Sequence, residues 1–119
     1  MATVLVIEDD EENLALISSI VASLGNDVLQ ARNAQVGYDL LMEHAVDLIL
    51  LDLRLPGMDG WEFASHMKND ANLNHIPIVA ISVEVEKSDK RKAFDAGCDD
   101  YLPKPFPISA LRAMLQQYL

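Results

Sequence analysis

Three short runs of the chain are almost continuously apolar: TVLVI at 3–7, DLILLDL at 47–53 and IPIVAIS at 76–82. A strand with one face in water alternates apolar and polar residues. A run without that alternation is covered on both faces, as in a parallel sheet layered between helices. DVLQA (27–31) and a short DYLP (100–103) read as two further strands.

Helix-period segments separate these runs. Residues 11–24 place Leu14, Ile17, Ile20, Val21 and Leu24 on one face, with Gly25 as the stop. Residues 33–44 form a weaker pattern, in which Gly37 costs up to about 1 kcal/mol against alanine. A third helix opens at Asp59 or Gly60 and runs to about Asn69, and a fourth spans 86–96 and ends at Gly97. The last starts with Pro107 at an N-terminal position and carries Ile108, Leu111, Met114, Leu115 and Tyr118. Five strands alternating with five helices predict an α/β fold, a doubly wound parallel sheet with helices on both faces and right-handed crossovers. With 119 residues and no repeat or linker-like stretch, the chain is expected to be one domain, 1–119.

Composition narrows the function classes. The net charge of −10, from 19 acidic and 9 basic residues, opposes a phosphate backbone, so no nucleic-acid partner is expected. No stretch has the length and apolarity of a spanning helix, so no membrane association is expected; the single cysteine, Cys98, suits a reducing cytosol, and the expected location is cytoplasmic. Lys87, Lys90, Arg91 and Lys92 concentrate four basic residues in six positions, which fits either a solvated helix face or a docking surface for an acidic partner.

In doubly wound sheets ligands bind outside the carboxyl ends of the strands. There, strand one ends in Glu8-Asp9-Asp10, strand three carries Asp52, strand four ends in Ser82, and Lys104 follows strand five. Taken singly, most have ordinary explanations: Asp9 or Asp10 caps the first helix, Ser82 bonds to the backbone, Lys104 lies along the surface. Asp52 does not. It follows four consecutive apolar residues, Leu48 to Leu51, and a carboxylate buried there needs a cation, hydrogen-bond donors or a proton. Asp9 and Asp52 supply the oxygen ligands Mg2+ takes, and Glu8 completes the set through a water.

These residues resemble the receiver domain of two-component response regulators over the entire length. The acidic pair Glu8-Asp9, DLRLPGMDG around Asp52, the Ser82 hydroxyl, AGCDDYLPKPF with Lys104-Pro105 and the final amphipathic helix carry the likeness. The resemblance implies the flavodoxin-like sheet of order 2-1-3-4-5. It implies that Asp52 is the phosphoacceptor, taking a phosphoryl group from a phosphohistidine on a histidine kinase or histidine phosphotransfer protein, with positioning and charge neutralisation as the domain's task. It also implies Mg2+ on Asp9, Asp52 and the backbone carbonyl of Arg54, Lys104 on a phosphoryl oxygen, and a cis Lys104–Pro105 bond. Ser82 and Tyr101 would act as a switch, Ser82 swinging to the phosphoryl group and Tyr101 turning inward. Their movement would bias a face made by helix four, strand five and helix five toward an unknown downstream protein, with Lys87, Lys90, Arg91 and Tyr101 as partner-binding residues.

The chain departs from the commoner family pattern near the phosphoacceptor. Glu8 replaces the more frequent Asp, Val83 stands where Ala or Gly is usual, and Arg54 and Glu84 are long charged residues flanking the site. Arg54, Val83 and Glu84 are therefore expected to gate water, an Arg54–Glu84 pair obstructing hydrolysis of the acyl phosphate. His44, His66 and His75 lack ligand spacing, Cys98 is expected to be buried and inert, and Trp61 either packs locally or anchors a partner.

Rival functions fit less well. A phosphatase with an aspartyl-phosphate intermediate places a second acid two residues after the nucleophile, where this chain has Arg54, so no enzymatic turnover is expected. A flavin carrier needs hydroxyls and backbone donors in its first loop, where EDDEEN would repel phosphate. A receiver-like adaptor that is never phosphorylated and a receiver excised from a hybrid histidine kinase remain as alternatives to a stand-alone receiver.

Overall fold

The computed structural model describes residues 2–83 and 87–119. In chain order it contains β1 (Thr3–Ile7), α1 (Glu11–Ser23), β2 (Asp27–Ala31), α2 (Ala34–Glu43), β3 (Leu48–Asp52), α3 (Gly60–Lys68), β4 (Ile78–Val83), α4 (Lys87–Ala96), β5 (Asp100–Lys104) and α5 (Ile108–Tyr118). The five strands form one parallel sheet in the order β2-β1-β3-β4-β5. This is the flavodoxin-like arrangement expected from the resemblance.

Strand alternation sorts the apolar runs into two cores. Leu5, Ile7, Ile49, Leu51, Ile78 and Ala80 face a core closed by α2, α3 and α4, including Leu41, Phe63, Met67 and Ala93. Val4, Val6, Leu48, Leu50, Val79 and Ile81 face the opposite side, against Leu14, Ile17 and Val21 of α1 and Leu111 and Leu115 of α5. Each of the Val, Leu, Ile, Phe and Met side chains among them contributes about 1.5–3 kcal/mol when fully removed from water. Continuous apolarity in β1, β3 and β4 is therefore the signature of two packed faces.

Several boundaries differ from the expected ones for local reasons. β4 starts at Ile78 because Pro77 has no N–H to give the ladder, although its carbonyl still accepts from Ile49 at 3.0 Å. Pro103 is accommodated inside β5 because that strand is the sheet edge. Pro107 stands just outside α5 as its N-cap, contributing no side-chain hydrogen bond, and the helix proper begins at Ile108. The expected start of α4 at Glu86 lies outside the described residues.

Two glycines set distances that matter for the rim. A Cβ on Gly60 would lie 2.5 Å from the Leu53 Cα and 2.7 Å from the Asp52 carbonyl oxygen, so a residue without a side chain lets α3 start against the end of β3. A Cβ on Gly37 would lie 2.8 Å from Ile7 Cδ1, so the glycine that weakens α2 in isolation is what lets it pack against β1.

Candidate functional site

At the carboxyl end of the sheet the three consecutive acids after β1 take different tasks. Asp10 is the N-cap of α1, in extended backbone, and its side chain accepts a hydrogen bond from the Asn13 N–H at 3.2 Å. Asp9 is thereby left to the rim. Glu8 turns inward and is only 2% exposed.

β3 delivers Asp52, 6% exposed, beside them. One carboxylate oxygen from each of Glu8, Asp9 and Asp52 can be chosen so that all lie within 4.8 Å of one another. Among the described residues this is the one cluster of this kind. Lys104, at the end of β5, is the cation that faces it: its Nζ lies 3.0 Å from Glu8 Oε2 and 3.7 Å from Asp52 Oδ2. Asp52 Oδ1 accepts a hydrogen bond from the Arg54 N–H at 2.9 Å. Neither the backbone donor nor the closer Lys104–Glu8 pair was anticipated from the sequence. The Lys104–Pro105 peptide is cis.

Among the described residues, three carboxylates against one ammonium leave excess negative charge in a poorly hydrated place. Its effect appears at Glu8, whose carboxyl is pushed up to about 7, first by burial, then by the neighbouring Asp52, with Lys104 pulling the other way. A hard dication with oxygen preference fits this donor set. It would sit among acids already close together and relieve the repulsion that keeps Glu8 partly protonated.

Ser82 is buried at the end of β4, and its Oγ donates to the adjacent Val83 carbonyl at a long 3.5 Å. Tyr101, in β5, is 5% exposed and belongs to the core on the α2–α4 side. Expected to turn inward on activation, it already faces inward here, and so offers a partner almost no surface. Lys90 and Arg91 are exposed on α4, which Lys87 opens. Lys92 is spent differently, with its Nζ 4.1 Å from the centre of the Trp61 ring.

Arg54 reaches α4. Its guanidinium contacts Asp89 of α4 at 3.4 Å and lies 5.0 Å from the Trp61 ring centre. Glu84, the partner expected for it, lies outside the described residues. Val83 is exposed and lines a groove of about 370 Å3 with Leu16, Ile17, Lys104 and Phe106. Trp61 is thus a local packing residue in contact with two cations, with its indole nitrogen buried and meeting no acceptor among the described residues. Cys98 is buried, and its thiol is pushed up to about 12 by burial and then by Asp99, as expected of an inert cysteine.

A family model described as the response regulator receiver domain matches residues 4–116. The chain belongs to the response regulator receiver family. A curated relative, the polar-differentiation response regulator DivK of Brucella anthropi, is 32% identical over 117 residues, covering 98% of this chain and 95% of that protein. Among solved structures, the chemotaxis protein CheY4 of Vibrio cholerae is 25% identical with a TM-score of 0.93, covering 100% of this chain and 99% of the other. The receiver domain of a sensor histidine kinase from Pseudomonas aeruginosa PAO1 is 29% identical with a TM-score of 0.90, covering 98% and 96%. That receiver holds a magnesium ion coordinated in its active-site cleft. Like these relatives, this receiver belongs to two-component signalling. Among its described residues no helix is long and apolar enough to cross a membrane.

Proposed function

We propose that this receiver accepts a phosphoryl group on Asp52 from the phosphohistidine of a histidine kinase or histidine phosphotransfer protein, and passes the signal on by protein contact. The observation that carries the reading is Asp52 itself, a nearly buried carboxylate at the end of β3 with Glu8, Asp9 and Lys104 around it. In the transfer a carboxylate oxygen of Asp52 bonds to phosphorus as the bond to the imidazole nitrogen breaks. The transition state is loose, so the gain comes from positioning and charge.

Asp9 and Asp52 would hold Mg2+, joined by the Arg54 backbone carbonyl and by Glu8 through a water. The bound ion supplies positive charge against the incoming phosphoryl oxygens. Lys104 contributes a compact ammonium already poised at the carboxylates. The Arg54 N–H keeps Asp52 oriented through Oδ1. Ser82 and Tyr101 act as the switch pair and bias the surface of α4, β5 and α5, where Lys90 and Arg91, with Lys87, steer an acidic partner. Arg54, Val83 and Glu84 set how readily water reaches the acyl phosphate. The output is a lifetime-limited signal rather than enzymatic turnover.

Incubation with Mg2+ and acetyl phosphate, borohydride trapping and mass spectrometry test the reading. One phosphoryl equivalent at Asp52, absent without Mg2+ and absent in Asp52→Asn, is expected. Label on a histidine, or undiminished label in Asp52→Asn, overturns it.

A further inference from the structure

Arg54 touches two parts of the molecule at once. Its backbone N–H is bonded to Asp52 Oδ1 at 2.9 Å, and its guanidinium pairs with Asp89 in the first turn of α4 at 3.4 Å. Asp89 and Lys92 are three residues apart, on one face of α4, and both meet the β3–α3 region: Asp89 through Arg54, Lys92 through Trp61. The start of α4 is therefore fastened beside the phosphoacceptor by two contacts, the Arg54–Asp89 pair at 3.4 Å and Lys92 at 4.1 Å from the Trp61 ring centre, with Arg54 also 5.0 Å from that ring. Among the described residues the indole nitrogen meets no acceptor.

The two contacts differ in strength. The Arg54–Asp89 pair is long and solvated, with the arginine side chain 52% exposed, and pairs of that kind are weak. A phosphoryl group on Asp52 would replace a single carboxylate charge with roughly two, and would offer oxygens arranged for bidentate pairing with a guanidinium. Arg54 is already anchored at the rim by its backbone, so side-chain torsions alone separate the two partners. We propose that Arg54 is a latch between the rim and α4: with Asp52 unmodified it holds Asp89 and covers Trp61, and a phosphoryl group on Asp52 draws it off and frees the first turn of α4. This rests on the phosphoacceptor reading above and adds a route from Asp52 to α4 distinct from Ser82 and Tyr101. Release of α4 would act on the helix that carries Lys90 and Arg91.

The chain's single tryptophan makes the latch directly observable. Mg2+ with beryllofluoride, a phosphoryl mimic, is titrated while Trp61 emission is recorded and fluorine NMR counts loading at Asp52. Loading should change wild-type emission toward that of unloaded Arg54→Ala, and Arg54→Ala should show less than half of the wild-type change. Asp89→Asn, with the latch already open, should bind beryllofluoride about two- to fivefold tighter, the factor corresponding to an exposed ion pair no longer broken on loading. Lys92→Gln should shift the starting emission yet keep wild-type affinity and response. Full loading with unchanged wild-type emission, or Asp89→Asn with wild-type affinity, overturns the latch and leaves the phosphoacceptor reading standing. No loading of wild type overturns that reading itself, and the latch with it.

Discussion

Lys104 lies closer to Glu8 than to Asp52: its ammonium is 3.0 Å from the first and 3.7 Å from the second. Glu8 is the more deeply buried of the two acids, at 2% against 6% exposed. The ammonium is shared between two of the three clustered carboxylates, and the less exposed of the two takes the shorter contact. The site is therefore a compromise in which burial and Asp52 let Glu8 keep its proton to an unusually high pH, against the pull of Lys104.

That compromise has a sign. An acid whose folded pKa exceeds its unfolded value binds its proton more tightly in the folded state, so it stabilises at low pH and loses that contribution as pH rises. For Glu8 the window runs from the ordinary 4.5 to about 7. In EDTA, the stability of wild type relative to Glu8→Gln should fall from pH 5 to pH 7.5, by on the order of 1–3 kcal/mol. Saturating Mg2+ should flatten the difference. Urea melts at four pH values check this; a pH-independent difference in EDTA would show that Glu8 is ionised throughout.

Asp9 and Asp10 are neighbours with separate tasks, and mutation should separate them. Asp10→Ala removes the N-cap of α1 and should cost about 1 kcal/mol while leaving Mg2+ affinity within twofold. Asp9→Ala, which caps nothing, should weaken Mg2+ binding at least tenfold with little loss of metal-free stability, because it thins a crowded cluster of carboxylates. Calorimetric titration and melts of both variants decide it, and the reverse pattern would exchange the two assignments.

Much of this rim was legible because strands alternate. Val4 and Val6, Leu48 and Leu50, and Leu102 all face the α1–α5 side, and two more steps along each strand reach Glu8, Asp52 and Lys104. Ser82 and Tyr101 follow the other parity, with Ala80, toward α4. The pairing of Glu8 with Lys104 follows the same parity, but its closeness depends on how deeply each side chain is buried, which the sequence does not show. The choice between Asp9 and Asp10 as the cap was not legible, since it turns on the backbone angles of one residue within a run of acids. Nor was Arg54–Asp89, which joins a loop to a helix 35 residues away and depends on how α4 is set against α3. The Arg54–Glu84 pair expected from their positions two residues after Asp52 and Ser82 involves a residue outside the described ones.

Cys98 gives a check on the fold that is independent of the site. Its thiol is buried, its N–H donates to the Ala93 carbonyl at 3.0 Å, and its ionisation is pushed up to about 12. At pH 8 the native thiolate fraction is negligible, so alkylation by iodoacetamide should proceed only through opening of the structure. Labelling should be at least a hundredfold slower than in urea-unfolded protein and should slow further with Mg2+, which favours the closed form. Rapid labelling of native protein would mean that the segment between α4 and β5 opens freely.

The Glu8–Lys104 relationship also predicts how the two residues depend on each other. Lys104→Gln alone leaves three close carboxylates without their ammonium, and breaking a buried pair by removing one member is costly. In EDTA at pH 8 this variant should lose about 2–4 kcal/mol. Glu8→Gln alone removes a charge that is poorly hydrated and crowded, so it should cost little or stabilise. In the double variant the acid that most needed Lys104 is gone, so the loss should be smaller than the sum of the single effects, with a coupling of about 1–3 kcal/mol. Saturating Mg2+ supplies the missing positive charge from another direction, and the coupling should shrink to less than half its metal-free value. Chemical denaturation of the four proteins of the cycle, in EDTA and in Mg2+, measures both numbers. Additive effects in EDTA would mean that the 3.0 Å contact carries no net interaction, and a coupling unchanged by Mg2+ would place the cation away from Glu8.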